Sequence, residues 1–356
     1  MDKLPTKTIL VMAGGTGGHI YPALAVADEL KQRDNKVYWL GSKQGMENEL
    51  VPKYGYDLHT IEVKALRGKG VLRWCLMPFV LTVAIYQAWK VIKTLNPDVA
   101  LGMGGFAAGP GGIAAWLSRV PLVLQEQNAI AGLTNRCLFP FAKYVLTGFP
   151  DVFEYSSKLK HTGNPVRSSI QHIEKTNTDK EVLKLLVLGG SLGAQFLNKL
   201  LPEFKKHTTL PLKIRHQCGE RDLFMTQTAY ENFTDVEVLS FIEDMADAYA
   251  WADIVICRAG ALTVCEVCLA GVAAIFVPFP YAVDDHQAAN ARYLSDNKAG
   301  LFIRQEHLTV EYLEQTIQPL HNDRKKLEEI AKKAFSLAKP DATSEVSDIC
   351  LEVAHA

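Results

Sequence analysis

The fold is decided by a stretch near the N-terminus, residues 8–19, which reads TILVMAGGTGGH. Its apolar run, residues 8–13, predicts a buried strand, and a helical pattern begins near Pro22, beyond the glycines. A glycine-rich turn between a strand and a helix presents backbone N–H groups and the positive end of the helix dipole, so it predicts a phosphate site. Ile20 stands where a dinucleotide-binding fingerprint has its third glycine, and the second predicted strand ends without the acid that would bind a ribose. The stretch therefore predicts a βα unit that does not bind NAD.

The same arrangement occurs again in the second half of the chain. Residues 185–194 read LLVLGGSLGA, an apolar strand followed by glycines. Because 356 residues exceed what one hydrophobic core usually supports, the repeat predicts two Rossmann-like α/β domains, each a doubly wound parallel sheet. Residues 161–167, HTGNPVR, have the glycine and proline content of a linker. The predicted domains are residues 1–164 and 165–341, and the predicted C-terminal helix, residues 342–356, is expected to pack back on the first domain.

Charge is distributed unevenly along a chain whose formal net charge is only −1. Residues 1–164 carry 18 Lys and Arg against 12 Asp and Glu, whereas the remainder carries 20 against 27. A basic half joined to an acidic half indicates that one face meets an anionic surface or substrate. The seven cysteines, an odd number, and the lack of a secretory signal lead us to expect a reduced, cytoplasmic chain.

An uncharged run of sixteen residues begins with Trp74 and ends with Trp89, and basic residues lie on both sides of it. A membrane-spanning helix needs about 20 apolar residues, and Pro78 and Gln87 interrupt this run. Two interpretations remain open: a buried core helix, or a surface helix that dips into anionic lipid.

Three segments of the first half are candidates for chemistry. His19 ends the first glycine-rich loop; it is suited to act as a general base, and the alternative is a residue that caps the turn or donates to a phosphate. Residues 103–110, MGGFAAGP, and residues 126–128, EQN, each follow a predicted strand. Turns after successive parallel strands gather at one crevice where ligands bind, although Gly104 and Gly105 also suit a plain tight turn.

In the second half, residues 258–266, RAGALTVCE, follow a predicted strand. Thr263 and Glu266 have the spacing of a helix capping box, and the alternative is that Glu266 accepts both hydroxyls of a ribose. Residues 284–290, DDHQAAN, offer polar side chains for sugar hydroxyls. The chain has no Asp-x-Asp motif to bridge a metal to a diphosphate, so we expect it to require no metal and no other cofactor, although a divalent cation can modulate it.

Together these motifs resemble the N-acetylglucosaminyltransferases of glycosyltransferase family 28, which act in peptidoglycan synthesis. The matching pieces follow the family's order over nearly the whole chain: residues 14–19, 104–110, 126–128, 163–167, 189–191, 258–266 and 285–287. The resemblance implies a GT-B fold, with two Rossmann-like domains facing each other across a cleft. It also implies an inverting transfer of GlcNAc from UDP-GlcNAc to the C4 hydroxyl of the MurNAc of lipid I (undecaprenyl-pyrophosphoryl-MurNAc-pentapeptide), which yields lipid II.

The resemblance also implies which residues bind each substrate. His19, Glu126 and Asn128 would surround the attacking hydroxyl, and our hypothesis is that His19 is the general base, assisted by Glu126. The acceptor, with its lipid-linked pyrophosphate, would be bound in the N-terminal domain by Gly14, Gly15, Thr16, Gly17, Gly18, Gly104, Gly105 and Asn128. UDP-GlcNAc would be bound by Arg167, Ser191, Ile242, Ala261, Leu262, Thr263, Glu266 and Gln287. Of these, Glu266 would meet the ribose, the backbone at Ile242 the uracil, and Gln287 the GlcNAc hydroxyls.

The implied location is the cytoplasmic face of the bacterial inner membrane, as a peripheral protein. Residues 74–89 would dock on the membrane, where their basic flanks would meet anionic lipid. A cell-wall synthesis complex is a further implied partner, and nucleic acid is not one. The chain departs from the family at Phe106 and Ala108, where relatives often have Tyr and Ser, so the hydrogen bonds that the Tyr and Ser hydroxyls would make with the acceptor are missing. It also has His286 where some relatives have a Gln before the position of Gln287.

Two other functions fit the same fold. A UDP-GlcNAc 2-epimerase uses the double-Rossmann plan without a lipid acceptor, and a non-enzymatic nucleotide-binding module at the membrane would bind UDP without turnover. Incubation with UDP-GlcNAc alone identifies an epimerase, because only that enzyme would accumulate UDP-ManNAc or its breakdown products.

Overall fold

The computed structural model describes residues 5–63, 71–170, 173, 181–190 and 193–356, with the side chains of residues 71–77 and Ser168 left aside. Contacts divide the chain into two compact units. The N-terminal unit comprises Met1–Arg167 and Asp341–Ala356, and the C-terminal unit comprises Ser168–Pro340. The boundary expected from the sequence, at residue 164, lies three residues before the one between the units.

A seven-stranded parallel sheet is the centre of the N-terminal unit. Its strands are β1 (Thr8–Met12), β2 (Lys36–Ser42), β3 (Asp57–Ile61), β4 (Val99–Gly102), β5 (Leu122–Glu126), β6 (Tyr144–Thr147) and β7 (Leu159–His161). They lie in the order β3-β2-β1-β4-β5-β6-β7, so the direction of winding reverses between β1 and β4. Ligands of such sheets bind beyond the carboxyl ends of the strands at this reversal, where the loops after β1 and β4 are neighbours.

The helices that connect these strands are α1 (Gly17–Gln32), α2 (Glu47–Lys53), α3 (Val71–Leu95), α4 (Ala108–Leu117) and α5 (Leu133–Leu138). They cover both faces of the sheet. Ile9 and Val11 of β1 pack in one core cluster, whereas Leu10 and Met12 pack in another, and all four are fully buried. A strand covered on both faces is apolar at every position, which explains the uninterrupted apolar run at the start of the chain.

The uncharged run of residues 74–89 lies within α3. One face of this helix is buried through Ala84, Ala88 and Ile92, whose spacing of four residues places them in a row. The large side chains point elsewhere, since Phe79 is 70% exposed and Tyr86 is 53% exposed. The interpretation as a buried core helix therefore holds for one face of α3 only, and the interpretation as a helix that dips into lipid stays a prediction. In the part of the chain that is described, no helix combines the length and the apolar character needed to cross a membrane.

The C-terminal unit has a six-stranded parallel sheet of the same kind. Its strands are β8 (Leu183–Leu188), β9 (Leu212–Gln217), β10 (Val236–Leu239), β11 (Ile254–Cys257), β12 (Ala273–Phe276) and β13 (Leu301–Phe302). Its helices are α6 (Gln195–His207), α7 (Leu223–Ala229), α8 (Met245–Trp251), α9 (Ala261–Ala270), α10 (His286–Asp296), α11 (Val310–Asn322) and α12 (Arg324–Ser336). The order β10-β9-β8-β11-β12-β13 reverses between β8 and β11. Two doubly wound parallel sheets confirm the predicted fold class.

The last helix, α13 (Ala342–His355), belongs to the N-terminal unit. Its Val346 and Val353 join the core cluster that contains Ile20 and Val26 of α1. The core of the N-terminal unit is thus completed by residues from the far end of the sequence.

Candidate functional site

Two glycine-rich loops meet where the winding of the N-terminal sheet reverses. A Cβ on Gly105, whose φ is +82°, would lie 2.1 Å from the carbonyl oxygen of Gly14. Gly104 has a φ of +93°, and a Cβ there would lie 2.7 Å from His19 Nδ1. Both the left-handed backbone and the close approach exclude a larger residue. These glycines therefore do more than form a tight turn, because they let the loop after β4 pack on the loop after β1.

A fully buried carboxylate, that of Glu47, lies beneath the first loop. Its Oε2 accepts a hydrogen bond from Gly15 N at 2.9 Å, and its Oε1 accepts from Ser42 N at 2.9 Å and Ser42 Oγ at 2.5 Å. A Cβ on Gly14 would lie 2.4 Å from the same Oε1. The N–H of Gly15 is thus already bound within the protein and is not a free donor for the predicted phosphate site.

The N-terminus of α1 follows directly. Thr16 precedes the helix, and Gly17 and Gly18 are its first two residues. The first N–H groups of a helix have no partner inside it, and together with the helix dipole they attract an anion. Phe106, one of the departures from the family, lies beside this loop with 45% of its surface exposed.

His19 lies in the first turn of α1 with its Nδ1 3.0 Å from Gln127 Oε1. The Gln127 side chain is held in turn, because its Nε2 donates to Met103 O at 2.9 Å and to Gln125 Oε1 at 2.5 Å. Since Gln127 is 1% exposed, its amide has a fixed environment. The histidine ring is therefore oriented by a residue that lies just beyond β5.

The amide network continues to the segment that was predicted to be a linker. Gln125 Nε2 donates to Asn164 Oδ1 at 2.8 Å, and Asn164 Nδ2 donates to Gln127 O at 2.8 Å. Gln125 is fully buried and Asn164 is 2% exposed. The backbone around Asn164 is thus attached to the carboxyl end of β5, within the N-terminal unit.

Glu126, the last residue of β5, makes its side-chain hydrogen bonds to the segment that follows it and to α5. Oε1 accepts from Asn128 N at 3.0 Å and Asn128 Nδ2 at 3.3 Å, whereas Oε2 accepts from Gly132 N at 2.9 Å and Asn135 Nδ2 at 2.8 Å. The side chain is only 2% exposed. Each carboxylate oxygen therefore has two donors, and the arrangement fixes the segment between β5 and α5.

Arg167, expected to contact the donor from the second domain, is grouped with the N-terminal unit. Its guanidinium lies 4.8 Å from the ring centroid of Tyr21, on α1. Burial raises the pKa of Tyr21 and the charge of Arg167 opposes that increase. Arg167 Nε is buried and makes no hydrogen bond to the described residues.

In the C-terminal unit, the loop after β8 carries the second set of glycines. Gly193 has a φ of +75°, and a Cβ there would lie 2.3 Å from Cys218 O, so the loop packs closely on the end of β9. Ser191 lies outside the described residues. Ile242, expected to read the uracil through its backbone, follows β10 and is 8% exposed.

The helix after β11 begins earlier than the capping-box interpretation requires. Gly260 is the N-cap of α9, and Ala261, Leu262 and Thr263 form its first turn. That interpretation, with Thr263 as the N-cap, is therefore wrong. Glu266 lies one turn later, 8% exposed, and its Oε2 accepts a hydrogen bond from Tyr249 Oη at 3.1 Å.

The loop between β12 and α10 is held by side chains from the start of α10 and by Arg304. Gln287 Oε1 accepts from Phe279 N at 2.9 Å, and His286 Nδ1 lies 2.6 Å from Val283 O. Arg304 binds Asp285 at 2.6 Å, and this hydrogen bond lowers the pKa of the Asp285 carboxyl. The hydrogen bond from Phe279 N uses the oxygen of the Gln287 amide and does not involve its Nε2.

No group of three or more His, Cys, Asp or Glu side chains that could hold a metal ion occurs within the described ranges. The expectation that no metal is needed stays a prediction.

Three residues of these sites were not found from the sequence: Glu47, Asn135 and Tyr249. Gln127 was noted only as part of residues 126–128 and was given no role. Glu47 and Gly15 are 32 positions apart, and His19 and Gln127 are 108 apart. No local spacing connects such pairs. The available signal was weak: a polar residue directly after a buried strand, as for Gln127, or an acid in the first turn of a helix after a strand, as for Glu47.

Two family models match the two units. The glycosyltransferase family 28 N-terminal domain matches residues 9–147, and the glycosyltransferase family 28 C-terminal domain matches residues 184–346. Among solved structures, the crystal structure of Acinetobacter baumannii MurG is similar with a TM-score of 0.84 and 42% identity, covering 97% of this chain and 99% of that one. A UDP-GlcNAc 2-epimerase from Neisseria meningitidis has a TM-score of 0.66 at 12% identity, covering 97% of this chain and 100% of that one, a likeness of fold alone.

Curated relatives match over the full length. A UDP-N-acetylglucosamine--N-acetylmuramyl-(pentapeptide) pyrophosphoryl-undecaprenol N-acetylglucosamine transferase of Marinobacter nauticus is 48% identical, with 100% of both chains covered. The enzyme of the same name from Aeromonas hydrophila is also 48% identical, with 98% of both chains covered. This chain therefore belongs to glycosyltransferase family 28, as a full-length relative of the MurG enzymes.

Proposed function

We propose that this chain transfers GlcNAc from UDP-GlcNAc to the MurNAc C4 hydroxyl of lipid I, with inversion, to form lipid II. The observation that carries the proposal is the 48% identity, over the whole chain, to enzymes named for this transfer. The paired glycine-rich loops, the histidine beside them and the buried acid after β11 supply the chemical groups that such a reaction requires.

The acceptor is assigned to the N-terminal unit. Its pyrophosphate would lie against Thr16, Gly17 and Gly18 at the start of α1, where helix N–H groups favour an anion. Gly14, Gly15, Gly104 and Gly105 shape this surface through their close packing. Asn128 would contact the acceptor sugar.

His19 is assigned as the general base that takes the proton of the attacking hydroxyl. The four hydrogen bonds that Glu126 accepts from the residues between β5 and α5 and from Asn135 of α5 support a different role for it. We assign to it the positioning of Asn128 and of the surrounding segment, rather than direct assistance in proton transfer.

The donor is assigned to the C-terminal unit. Glu266, already oriented by Tyr249, would accept the ribose hydroxyls, and the backbone at Ile242 would read the uracil. The diphosphate would lie near Ser191 and the N-terminus of α9. There Ala261, Leu262 and Thr263 present the positive end of the helix dipole to the charge that grows on the leaving UDP.

Two further side chains complete the proposed donor site. Gln287 Nε2 would donate to a GlcNAc hydroxyl. Arg167 would contribute positive charge to the donor, although its guanidinium lies over Tyr21 in this structure. Because helix termini and Arg167 supply the positive charge, no resident metal is required.

The membrane side of the function is also a proposal. The large exposed side chains of α3, Phe79, Tyr86 and Trp89, would enter the lipid interface. Lys90 lies 4.7 Å from the Tyr86 ring and Lys93 lies 6.0 Å from the Trp89 ring, which places positive charge beside them for anionic headgroups. This arrangement supports a peripheral position on the cytoplasmic face of the inner membrane, where a cell-wall synthesis complex would also be reached.

The decisive experiment measures radiolabelled GlcNAc transfer from UDP-GlcNAc to lipid I, beside the same reaction without acceptor. We expect labelled lipid II only when lipid I is present. Conversion of UDP-GlcNAc to UDP-ManNAc without acceptor would instead indicate an epimerase, and UDP binding without any turnover would indicate a nucleotide-binding module.

A further inference from the structure

The orientation of the buried Gln127 amide is fixed by a backbone carbonyl. Its Nε2 lies 2.9 Å from Met103 O and 2.5 Å from Gln125 Oε1, and a carbonyl oxygen can only accept a hydrogen bond. The end of the amide that faces Met103 is therefore the NH₂ group, and the end that faces His19 is the oxygen. If the Gln127 amide were reversed, its oxygen would face two other acceptors, Met103 O and Gln125 Oε1. Because the side chain is 1% exposed, the hydrogen bonds lost in that orientation would not be replaced by water.

A second backbone carbonyl fixes the neighbouring amides. Asn164 Nδ2 donates to Gln127 O at 2.8 Å, which leaves Asn164 Oδ1 to accept from Gln125 Nε2 at 2.8 Å. Gln125 Oε1 is then the acceptor for Gln127 Nε2. In this chain of three amides, Gln127 donates to Gln125 and Gln125 donates to Asn164. The amide oxygen of Gln127 is therefore the group that faces His19.

We infer that Gln127 is a positioning residue that holds neutral His19 as the tautomer with its proton on Nδ1. The acceptor Gln127 Oε1 lies 3.0 Å from Nδ1, so Nδ1 donates, and the lone pair of the neutral ring remains on Nε2. Gly104 leaves room for this arrangement, because a Cβ there would lie 2.7 Å from Nδ1.

The catalytic meaning of this inference rests on the proposed function. The C4 hydroxyl of the acceptor gives its proton to His19 Nε2 while its oxygen forms the bond to the anomeric carbon of GlcNAc. The bond between that carbon and the diphosphate oxygen breaks, and UDP leaves with the electron pair. The opposite tautomer would present an N–H to the hydroxyl and could not accept its proton.

The tautomer can be read by long-range ¹H–¹⁵N NMR spectra of the full chain labelled with ¹⁵N-histidine, at a pH that keeps imidazole neutral. The His19 signals are identified by their loss in His19→Gln. We expect a protonated Nδ1 and an unprotonated Nε2 in the wild-type chain. A proton on Nε2 in that chain overturns the inference, whether or not the chain transfers GlcNAc. Conversely, the expected tautomer in a chain that transfers nothing to lipid I would reject the proposed function alone.

Gln127→Met tests the link from the tautomer to the rate, because it removes the acceptor and keeps the side-chain length. We expect the His19 signals to shift towards the Nε2–H form and kcat to fall by about 10- to 100-fold, with the KM for UDP-GlcNAc unchanged. A fall in kcat with the wild-type tautomer retained would overturn the inference.

Gln125→Met is the matched variant for the tautomer measurement. It removes the next amide of the same buried network, but Met103 O still holds Gln127 in its orientation. We expect this variant to retain the proton on Nδ1. An equal change of tautomer in both variants would contradict the anchoring by Met103 O and overturn the inference.

Discussion

The Glu47 carboxylate accepts a hydrogen bond from the backbone N–H of Gly15 at 2.9 Å, so a fully buried acid supports the loop that opens the proposed acceptor site. The same carboxylate also accepts hydrogen bonds from the N–H and the hydroxyl of Ser42, the last residue of β2. Glu47 therefore connects the end of β2 to the first loop. An acid in this place would repel a phosphate, so the proposed anion site is assigned to the N-terminus of α1 rather than to the N–H of Gly15.

Replacement of this acid by an amide should loosen the loop. In Glu47→Gln an NH₂ group would face the N–H of Gly15 or the groups of Ser42, and a buried donor without a partner costs about 1–3 kcal/mol. We expect a lower melting temperature and a higher KM for lipid I, with UDP-GlcNAc binding unchanged. The control is Glu49→Gln, on the exposed side of the same helix. If Glu47→Gln had the melting temperature and the KM for lipid I of the wild-type chain, Glu47 would not support the loop.

Loss of the proposed base should affect turnover more than binding. We expect His19→Ala to lower kcat by about 10²- to 10⁴-fold, the usual contribution of a general base, while the Kd for UDP-GlcNAc stays unchanged. His59→Ala, on β3 of the same unit, is the control and should retain activity. Near-normal turnover of His19→Ala at saturating substrates would show that another group takes the proton.

Donor affinity should depend on Glu266 and, less strongly, on the tyrosine that orients it. Hydrogen bonds to a charged group contribute about 1.5–3 kcal/mol, so we expect Glu266→Ala to weaken UDP-GlcNAc binding by at least about tenfold. Tyr249→Phe removes one donor to that carboxylate and should give a smaller loss. Tyr230→Phe is the control for a buried tyrosine hydroxyl in the same unit. Calorimetry with UDP-GlcNAc measures all three, and an unchanged affinity of Glu266→Ala would leave this residue with a structural role only.

A buried histidine should make the C-terminal unit sensitive to acid. Burial lowers the pKa of His216 from 6.5 to about 3, and its ring hydrogen-bonds Tyr230 Oη and Asn198 Oδ1. Between these two values the unfolded chain binds a proton that the folded chain does not, so stability falls as the pH decreases below 6.5. The loss approaches about 1.4 kcal/mol for each pH unit.

Urea titrations at several pH values measure this dependence. His216→Gln should show a shallower loss of stability than the wild-type chain, because it has no group to protonate in this range. His207→Gln, at an exposed position, should keep the wild-type slope. If the slopes of wild type and His216→Gln coincide, the acid sensitivity has another origin.

Membrane binding should depend on the exposed side chains of α3. We expect Phe79→Ser combined with Tyr86→Ser to reduce sedimentation with phosphatidylglycerol vesicles, because less apolar surface enters the interface. Phe224→Ser removes an aromatic that is 82% exposed in the C-terminal unit, and it should bind vesicles as the wild-type chain does. Equal binding by all three proteins would place the membrane contact elsewhere.

The sequence predicted the features that are encoded locally. The apolar run of β1 and the glycines after it specify a buried strand and a tight turn within a dozen residues, and their recurrence at residues 185–194 indicates the second sheet. The position of Glu266 beside the start of α9 followed in the same way. The capping-box interpretation was wrong, since the helix begins at Ala261 and not after Thr263, and the ribose-binding role of Glu266 stays a prediction.

What the sequence did not predict depends on contacts between distant segments. The role of Glu47 exists only because β1 and β2 are neighbours, and Gln127 reaches His19 only because β1, β4 and β5 lie side by side. Glu126 was predicted to assist catalysis, which stays a prediction, and its environment became clear only when Gly132 and Asn135 could be seen to bind it. Hydrogen-bond partners of this kind are set by the tertiary fold.

The packing of α13 has a consequence for biosynthesis. Val346 and Val353, in the core of the N-terminal unit, leave the ribosome after every residue of the C-terminal unit. The first unit to be translated is therefore the last to complete its core, and until then the face of α1 that α13 covers stays open on the nascent chain.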